Sequence, residues 1–224
     1  MIRFLTFDCY GTLIDWKKGI EDNFRKCFIG TGDDLGARQQ IFEKYVSLEI
    51  QEEGSYKSYK KVLEETSMKL ARNFGLSFSE DSGKRFADSI TDWPSFSDTA
   101  ETLRKLGQLG YNRTILSNID RVLLRGTISN SHLEVDNFIT AQDVKSYKPN
   151  KEHWLEFFRM TGAKKEELVH VANSVYHDIL PANEIGIRTV WVNRYGEKSP
   201  TVTKPSFTIT SLSELVGVLE RINR

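Results

Sequence analysis

Phe4-Leu5-Thr6-Phe7-Asp8-Cys9-Tyr10-Gly11-Thr12-Leu13-Ile14-Asp15-Trp16 is the stretch on which the reading of the fold turns. Its first half is apolar and strand-prone. It then runs into a carboxylate at Asp8, followed by Gly11 and Thr12, which reads as a strand ending in a tight turn. In an open parallel sheet such a tip faces the ligand crevice, where an acid can be a nucleophile, a base or a metal ligand. Taken alone, Asp8 is better explained as a turn former or helix cap. A functional reading requires other segments to bring it partners.

Downstream, from Trp16 to about Ile90, the pattern is helical. Ile41, Tyr45, Leu48 and Glu49-Ile50 recur at helical spacing, as do Tyr59, Val62-Leu63, Thr66 and Leu70, with Gly75 closing the second run. The spacing predicts four helices at roughly 17–29, 36–53, 56–74 and 79–91 whose stripes form a small bundle. Asp92-Trp93-Pro94-Ser95 breaks the pattern. Beyond it, helices and strands alternate: strands are expected at 112–116, 137–140, 169–172 and 189–192, and helices at 100–109, 120–128, 151–161, 178–185 and 212–222. Such alternation means an α/β protein with a parallel sheet covered on both faces. The first strand belongs to that sheet, so 1–15 and 94–224 form the core and 16–93 an inserted all-helical cap.

The 224 residues can bury a full core. A formal charge of zero and 28% charged residues suggest neither a nucleic-acid surface nor a membrane-binding patch. No apolar run reaches the roughly 18 residues of a membrane span, and no signal-peptide pattern precedes the first strand. The expectation is a cytoplasmic protein acting on a small molecule. Two cysteines, Cys9 and Cys27, make no disulfide framework and no metal spacing, so Cys9 reads as a packing residue.

Other strand ends also carry polar groups. Arg113-Thr114-Ile115-Leu116 ends in Ser117-Asn118; the segment after Thr140 leads to Tyr147-Lys148-Pro149; His170-Val171-Ala172 ends in Asn173-Ser174, with Asp178 following. With all strands parallel, Asp8, Ser117, Lys148, Asn173 and Asp178 share one rim. Singly, Ser117-Asn118 could be a cap, Lys148 a solvated loop lysine and Asp178 a first-turn acid. Their coincidence at successive strand ends favours a site.

The motifs Asp8-x-Tyr10-Gly11-Thr12-Leu13, Leu116-Ser117-Asn118, Tyr147-Lys148-Pro149 and the strand ending before Asp178 resemble the haloacid dehalogenase superfamily, with its Rossmann-like core and helical cap. Phe7-Asp8-Cys9-Tyr10-Gly11-Thr12, Asp92-Trp93-Pro94 and the run from His170 to Asp178 are similar to its type II 2-haloacid dehalogenase branch. The resemblance covers nearly the whole chain. It implies that Asp8 is the nucleophile, that Thr12, Ser117 and Asn118 hold its carboxylate or the substrate, and that Lys148 is a fixed cation oriented, with the hydrolytic water, by Asn173 and Asp178. It also implies a short L-2-haloacid as substrate, Tyr10 near it, no metal, and a homodimer.

Two positions separate this branch from phosphatase relatives. Those typically carry a second Asp two residues after the nucleophile to protonate an alkoxide, where this chain has Tyr10. They also place Gly-Asp where this chain has Ala172-Asn173, which thins the ligand set for magnesium. A magnesium-dependent phosphatase using Asp8 and Asp178 is the enzymatic alternative, and a non-catalytic binding domain the other. Without a metal, Asp8, Asp178 and Lys148 sum to one negative charge, so a haloacid anion calls for a cation from the cap. The resemblance places that cation at Lys44, with Arg38 or Arg25 as substitutes, and puts Trp154 where a tyrosine is expected. For Lys44 the competing reading is a solvated helix lysine. For His177 the two readings are a titrating group in the site or a packing residue at the rim.

Overall fold

A computed structural model describes residues 1–28, 38–199 and 201–224, excluding the side chains of Arg38, Gln39 and Glu80. Six strands, β1 (Phe4–Phe7), β2 (Asn112–Ser117), β3 (Asn137–Thr140), β4 (Leu168–Ala172), β5 (Arg188–Val192) and β6 (Phe207–Ile209), form one parallel sheet in the order β3-β2-β1-β4-β5-β6. β1 sits at the centre, with Phe7 opposite Ile115 on one side and Val171 on the other. Leu5, Phe7, Ile115, Val169 and Val171 are buried, as strands covered on both faces require. Strand order reverses between β1 and β4, the place where parallel sheets open a crevice at their C-terminal ends.

Among the described residues, four α-helices follow β1: α1 (Trp16–Phe28), α2 (Arg38–Glu52), α3 (Tyr59–Asn73) and α4 (Glu80–Asp88). The chain leaves and re-enters the core at one neck. Ile14 bridges Ser95 in antiparallel fashion, Asp15 N donates to Pro94 O (2.8 Å), and Phe96 N donates to Leu13 O (3.1 Å). Six further α-helices among the described residues belong to the core: α5 (Thr99–Gln108), α6 (Arg121–Asn130), α7 (Ala141–Val144), α8 (Glu152–Thr161), α9 (Leu180–Glu184) and α10 (Leu215–Ile222). The expected stripes are buried: Ile41, Tyr45 and Leu48 on α2, and Val62, Leu63 and Leu70 on α3. They join Ile14, Trp93, Phe7 and Ile115 in one apolar cluster, so the cap does not have a core of its own. Gly19 makes this possible on α1, since a Cβ there would lie 2.4 Å from the Trp93 ring.

Three features differ from the sequence reading. β6 is three residues long, too short to show alternation, and pairs only at the sheet edge. α7 is a single turn whose Thr140–Asp143 capping box the pattern did not reveal. The helix expected from Asp178 begins instead as a wide π-helical turn over Val175–Ile179 before α9. Such bulges recur at functional sites.

Candidate active site

Asp8 stands just past the tip of β1, 7% exposed. Lys148 Nζ donates to Asp8 Oδ1 (2.9 Å), Asp178 Oδ1 (2.7 Å) and Leu116 O (2.9 Å), and the lysine itself is 1% exposed. All three ammonium protons are therefore spent on the protein. Asp178 Oδ1 also accepts from His170 Nε2 (2.9 Å), whose Nδ1 meets the Thr6 hydroxyl (2.9 Å), while Asp178 Oδ2 is buried with no partner. Burial works against the Asp178 charge, but Lys148 and His170 outweigh it and hold the carboxyl at about 2. Burial lowers Lys148 as well, and Asp178 and Asp8 more than reverse that, so it stays an ammonium. Asp8 is raised above the ordinary carboxylate value by burial, against Lys148, with Asp178 adding to the rise.

Neighbouring strand tips complete the nucleophile's setting. The Thr12 hydroxyl donates to Asp8 Oδ2 (2.8 Å) and accepts from Asn173 N (2.9 Å), linking the turns after β1 and β4. Gly11 permits that turn, with φ +93 and a hypothetical Cβ 3.0 Å from Trp16 Nε1. Asn118 accepts from Lys148 N (2.7 Å) and donates to Lys148 O (3.0 Å), so it fixes the lysine's backbone. Asn173 is held by Val192 O (3.0 Å). Ser117 lines the cleft with these residues. Tyr10 lines it too, but its hydroxyl is bonded to Thr127 Oγ1 (2.7 Å) and its ring packs edge-on to Trp93.

The cap closes the cleft with Trp16, Glu49, Glu53 and Tyr59, and His177 faces it from beyond β4. Tyr59 OH donates to Glu49 Oε1 (2.6 Å). Burial first, and then the Glu53 charge, raise Glu49 from 4.5 to about 8. Glu53 Oε2 lies 3.4 Å from His177 Nε2. Burial would lower His177, but Glu53 and then Asp178 lift it above its ordinary value. The Trp16 indole N–H is buried without an acceptor.

The expected cap cation must be corrected. Lys44 is exposed on α2 and is absent from the cleft lining, because the face of α2 that turns inward carries Tyr45, Leu48 and Glu49. Arg25, on α1, does not line the cleft either. Arg38 opens α2, and its side chain lies outside the described residues. Trp154 is also not at the site: it is fully buried, edge-on to His170 with centroids 5.1 Å apart. A roomier groove near β3 holds Arg121 and Asp143 paired with each other and is not lined by Asp8 or Lys148.

A family model for haloacid dehalogenase-like hydrolases matches residues 2–186. The chain belongs to that family. Among curated relatives of this hydrolase, the (S)-2-haloacid dehalogenase of Pseudomonas fluorescens is 26% identical over 96% of this chain and 95% of its own length. The (S)-2-haloacid dehalogenase 4A of Burkholderia cepacia is 26% identical over 98% and 96%. Among solved structures, the L-2-haloacid dehalogenase from Xanthobacter autotrophicus with chloropropionic acid covalently bound superposes with a TM-score of 0.83, at 19% identity, covering 98% of this chain and 99% of that one. The HAD-hydrolase YfnB from Bacillus subtilis, bound to magnesium, superposes at 0.80 and 19% identity over 98% and 99%. At such identities the superpositions establish the shared fold.

A magnesium-bound protein shares this fold, so the carboxylate oxygens here bear on whether a metal fits. Three of the four carboxylate oxygens of Asp8 and Asp178 accept from Lys148, His170 or Thr12, leaving Asp178 Oδ2. Among the described residues no group of three or more His, Cys, Asp or Glu side chains could hold a metal. Magnesium prefers several oxygen ligands in octahedral array, and this set fits it poorly. Trp16, Glu49, Glu53, Tyr59 and Ser174 are the lining residues that sequence reasoning did not assign to the site. The available signal was Glu49 itself, an acid within the stripe of Ile41, Tyr45 and Leu48.

Proposed function

We propose that this hydrolase cleaves the carbon–halogen bond of short 2-haloacids of the L form, giving 2-hydroxy acids through an ester on Asp8. The carrying observation is a buried carboxylate at the central strand tip, bonded to Lys148 and Thr12, beside a Tyr10 whose hydroxyl is committed elsewhere. Halide departs as a stable anion and needs no proton, so the position that bears an acid in phosphatase relatives can hold a tyrosine. The full-length likeness to enzymes named (S)-2-haloacid dehalogenases supports this reading. So does the small cleft of about 70 Å³, which suits a substrate of a few heavy atoms.

In the first step an Asp8 oxygen attacks C2 opposite the halogen, the new C–O bond forms as the carbon–halogen bond breaks, and the configuration inverts. Water then adds to the Asp8 carbonyl, not to C2. Lys148 stabilises the negative charge that develops there. We assign the orienting of that water to the Asp178 carboxylate, which is ionised beside Lys148 and lines the same cleft. Collapse releases the 2-hydroxy acid, and one proton and one halide leave per turnover. No step calls for a metal or organic cofactor, and the reduced Cys9 and Cys27 suit a cytoplasmic setting.

Halide release from L-2-chloropropionate by wild type and Asp8→Asn tests the reading. The variant should release none above background, whereas release at the wild-type rate would refute the mechanism. Phosphate esters, with and without magnesium, form the second arm: metal-dependent phosphate release without halide release would replace this reading with the phosphatase one.

A further inference from the structure

We propose that His170 is a positioning residue of the hydrolytic step: buried beneath the site, it holds the Asp178 carboxylate in the orientation that directs water onto the Asp8 ester. This rests on the haloacid reading above, and it gives a role to a residue that the resemblance leaves without one.

β4 is buried throughout, and its other four residues, Leu168, Val169, Val171 and Ala172, are apolar. His170 breaks that run at 0% exposure. A polar ring in such a place costs stability unless its nitrogens find partners. It stands in register with Thr6 on β1, so the two side chains share one face of the sheet. The Thr6 hydroxyl meets Nδ1 at 2.9 Å, and Nε2 reaches Asp178 Oδ1 at 2.9 Å. Trp154 of α8 packs edge-on against the ring, out of an apolar cluster that includes Leu116, Phe157 and Leu168.

The partner of Nε2 separates this residue from a histidine that merely satisfies itself in a core. Asp178 is ionised and can only accept, so Nε2 bears the hydrogen and donates it. The oxygen it reaches is the one that also accepts from Lys148 Nζ at 2.7 Å. Two donors on Oδ1, arriving from different segments, stop the carboxylate from turning about its Cβ–Cγ bond. Lys148 alone would hold it less firmly, because its ammonium is divided among Asp8, Asp178 and Leu116 O. Thr6 in turn steadies the ring, since the bond at Nδ1 sets where Nε2 points. The chain from Thr6 through His170, Asp178 and Lys148 thus runs from the interior of the sheet to the nucleophile. His170 does not line the cleft, so it acts on the reaction through Asp178.

In the hydrolytic step water adds to the Asp8 carbonyl carbon and the bond from that carbon to the ester oxygen breaks. The 2-hydroxy acid leaves, and Asp8 returns to a carboxylate with release of one proton. The preceding attack of Asp8 on C2 uses no water. Loss of the His170 donor should therefore fall on the second step.

The experiment follows a single turnover of L-2-chloropropionate, quenched at successive times, with the Asp8 ester read by intact-protein mass spectrometry and halide measured alongside. His170→Asn turns its amide toward Thr6 and leaves Asp178 without this donor, whereas His170→Gln places its amide nitrogen where Nε2 stood. In His170→Asn, ester hydrolysis should slow about 10- to 100-fold with ester formation changed much less, so that ester accumulates. His170→Gln should recover most of the wild-type hydrolysis rate. Thr6→Val, which removes the bond at Nδ1, should slow hydrolysis by less than His170→Asn does. A merely damaged core would slow both steps together and would not be rescued by glutamine. Hydrolysis at the wild-type rate in His170→Asn, slowing of both steps in equal measure, or a glutamine variant as slow as the asparagine one would overturn the proposal. If His170→Asn is recovered unfolded, Thr6→Val decides, and hydrolysis there at the wild-type rate would overturn it. A wild type that forms no ester and releases no halide from any haloacid would instead refute the haloacid reading, and the proposal with it.

Discussion

Lys148 ties together more of the site than any other side chain, because one buried ammonium holds two carboxylates and a carbonyl. Replacing it with methionine leaves Asp8 and Asp178 facing each other without a counterion, and kcat for halide release should fall by about 10³. Thr12→Val removes hydrogen bonds to Asp8 and to Asn173 N, and should cost about 1–3 kcal/mol in urea unfolding as well as activity. The acid limb of the activity profile belongs to Asp8, which must be ionised to attack. Burial raises it, so kcat/KM should fall with acid at a midpoint above the ordinary carboxylate value, while Asp178 remains ionised to about pH 2. For stability the sign at Glu49 is the reverse of the usual acid. Its folded value, near 8, exceeds its unfolded value of 4.5, so the folded state holds a proton that the unfolded state releases, and stability falls as pH rises across that window. Glu49→Gln should therefore lose less Tm than wild type between about pH 5 and about pH 9. That Asp8, Ser117, Lys148, Asn173 and Asp178 share one rim was legible because the parallel topology fixes which end of the sheet the segments after β1, β2, β3 and β4 occupy, whereas Thr12 and Asn118 entered through the family resemblance. Lys44 was misplaced because a helix has no such fixed end, and a rotation of about 100° per residue decides whether Lys44 or Tyr45 turns inward.

Between elements, the contacts that fix the cap over the cleft come largely from the core. Asp120 accepts from Tyr59 N (3.1 Å) and Lys60 N (2.8 Å), so a core carboxylate caps the first turn of α3 and favours its positive dipole end. Tyr147 OH donates to Lys57 O (2.7 Å) beside it. Asp120→Ala should cost about 1–2 kcal/mol in urea unfolding, because the first turn of α3 loses its cap. The four cap helices and the alternation after Pro94 were readable from long periodic stripes. β6 and the π-helical turn were not: the first is too short for periodicity, and the second depends on how Asp178 and Ile179 are buried against the sheet.

At the scale of the whole molecule, the cap and the sheet share one apolar cluster that passes through Trp93, which is 2% exposed and touches Tyr10 and Phe86. A protein built this way should unfold as one unit, with near- and far-UV transitions coinciding. Trp93→Ala should lower the unfolding free energy by about 3–5 kcal/mol while keeping one common transition rather than splitting it. The sequence shows the insertion through its change of periodicity, yet it does not show that the inserted helices lack a core of their own, since that follows from which faces meet. The overall arrangement also explains why Asp8 is the pivot: it lies at the reversal of strand order, with the cap's Glu49 across from it and Lys148 beside it. A single turnover in oxygen-18-labelled water, with enzyme in excess over L-2-chloropropionate, tests that role directly. The account predicts unlabelled lactate, with one labelled oxygen recovered in the peptide that carries Asp8. Labelled lactate together with an unlabelled Asp8 peptide would contradict it.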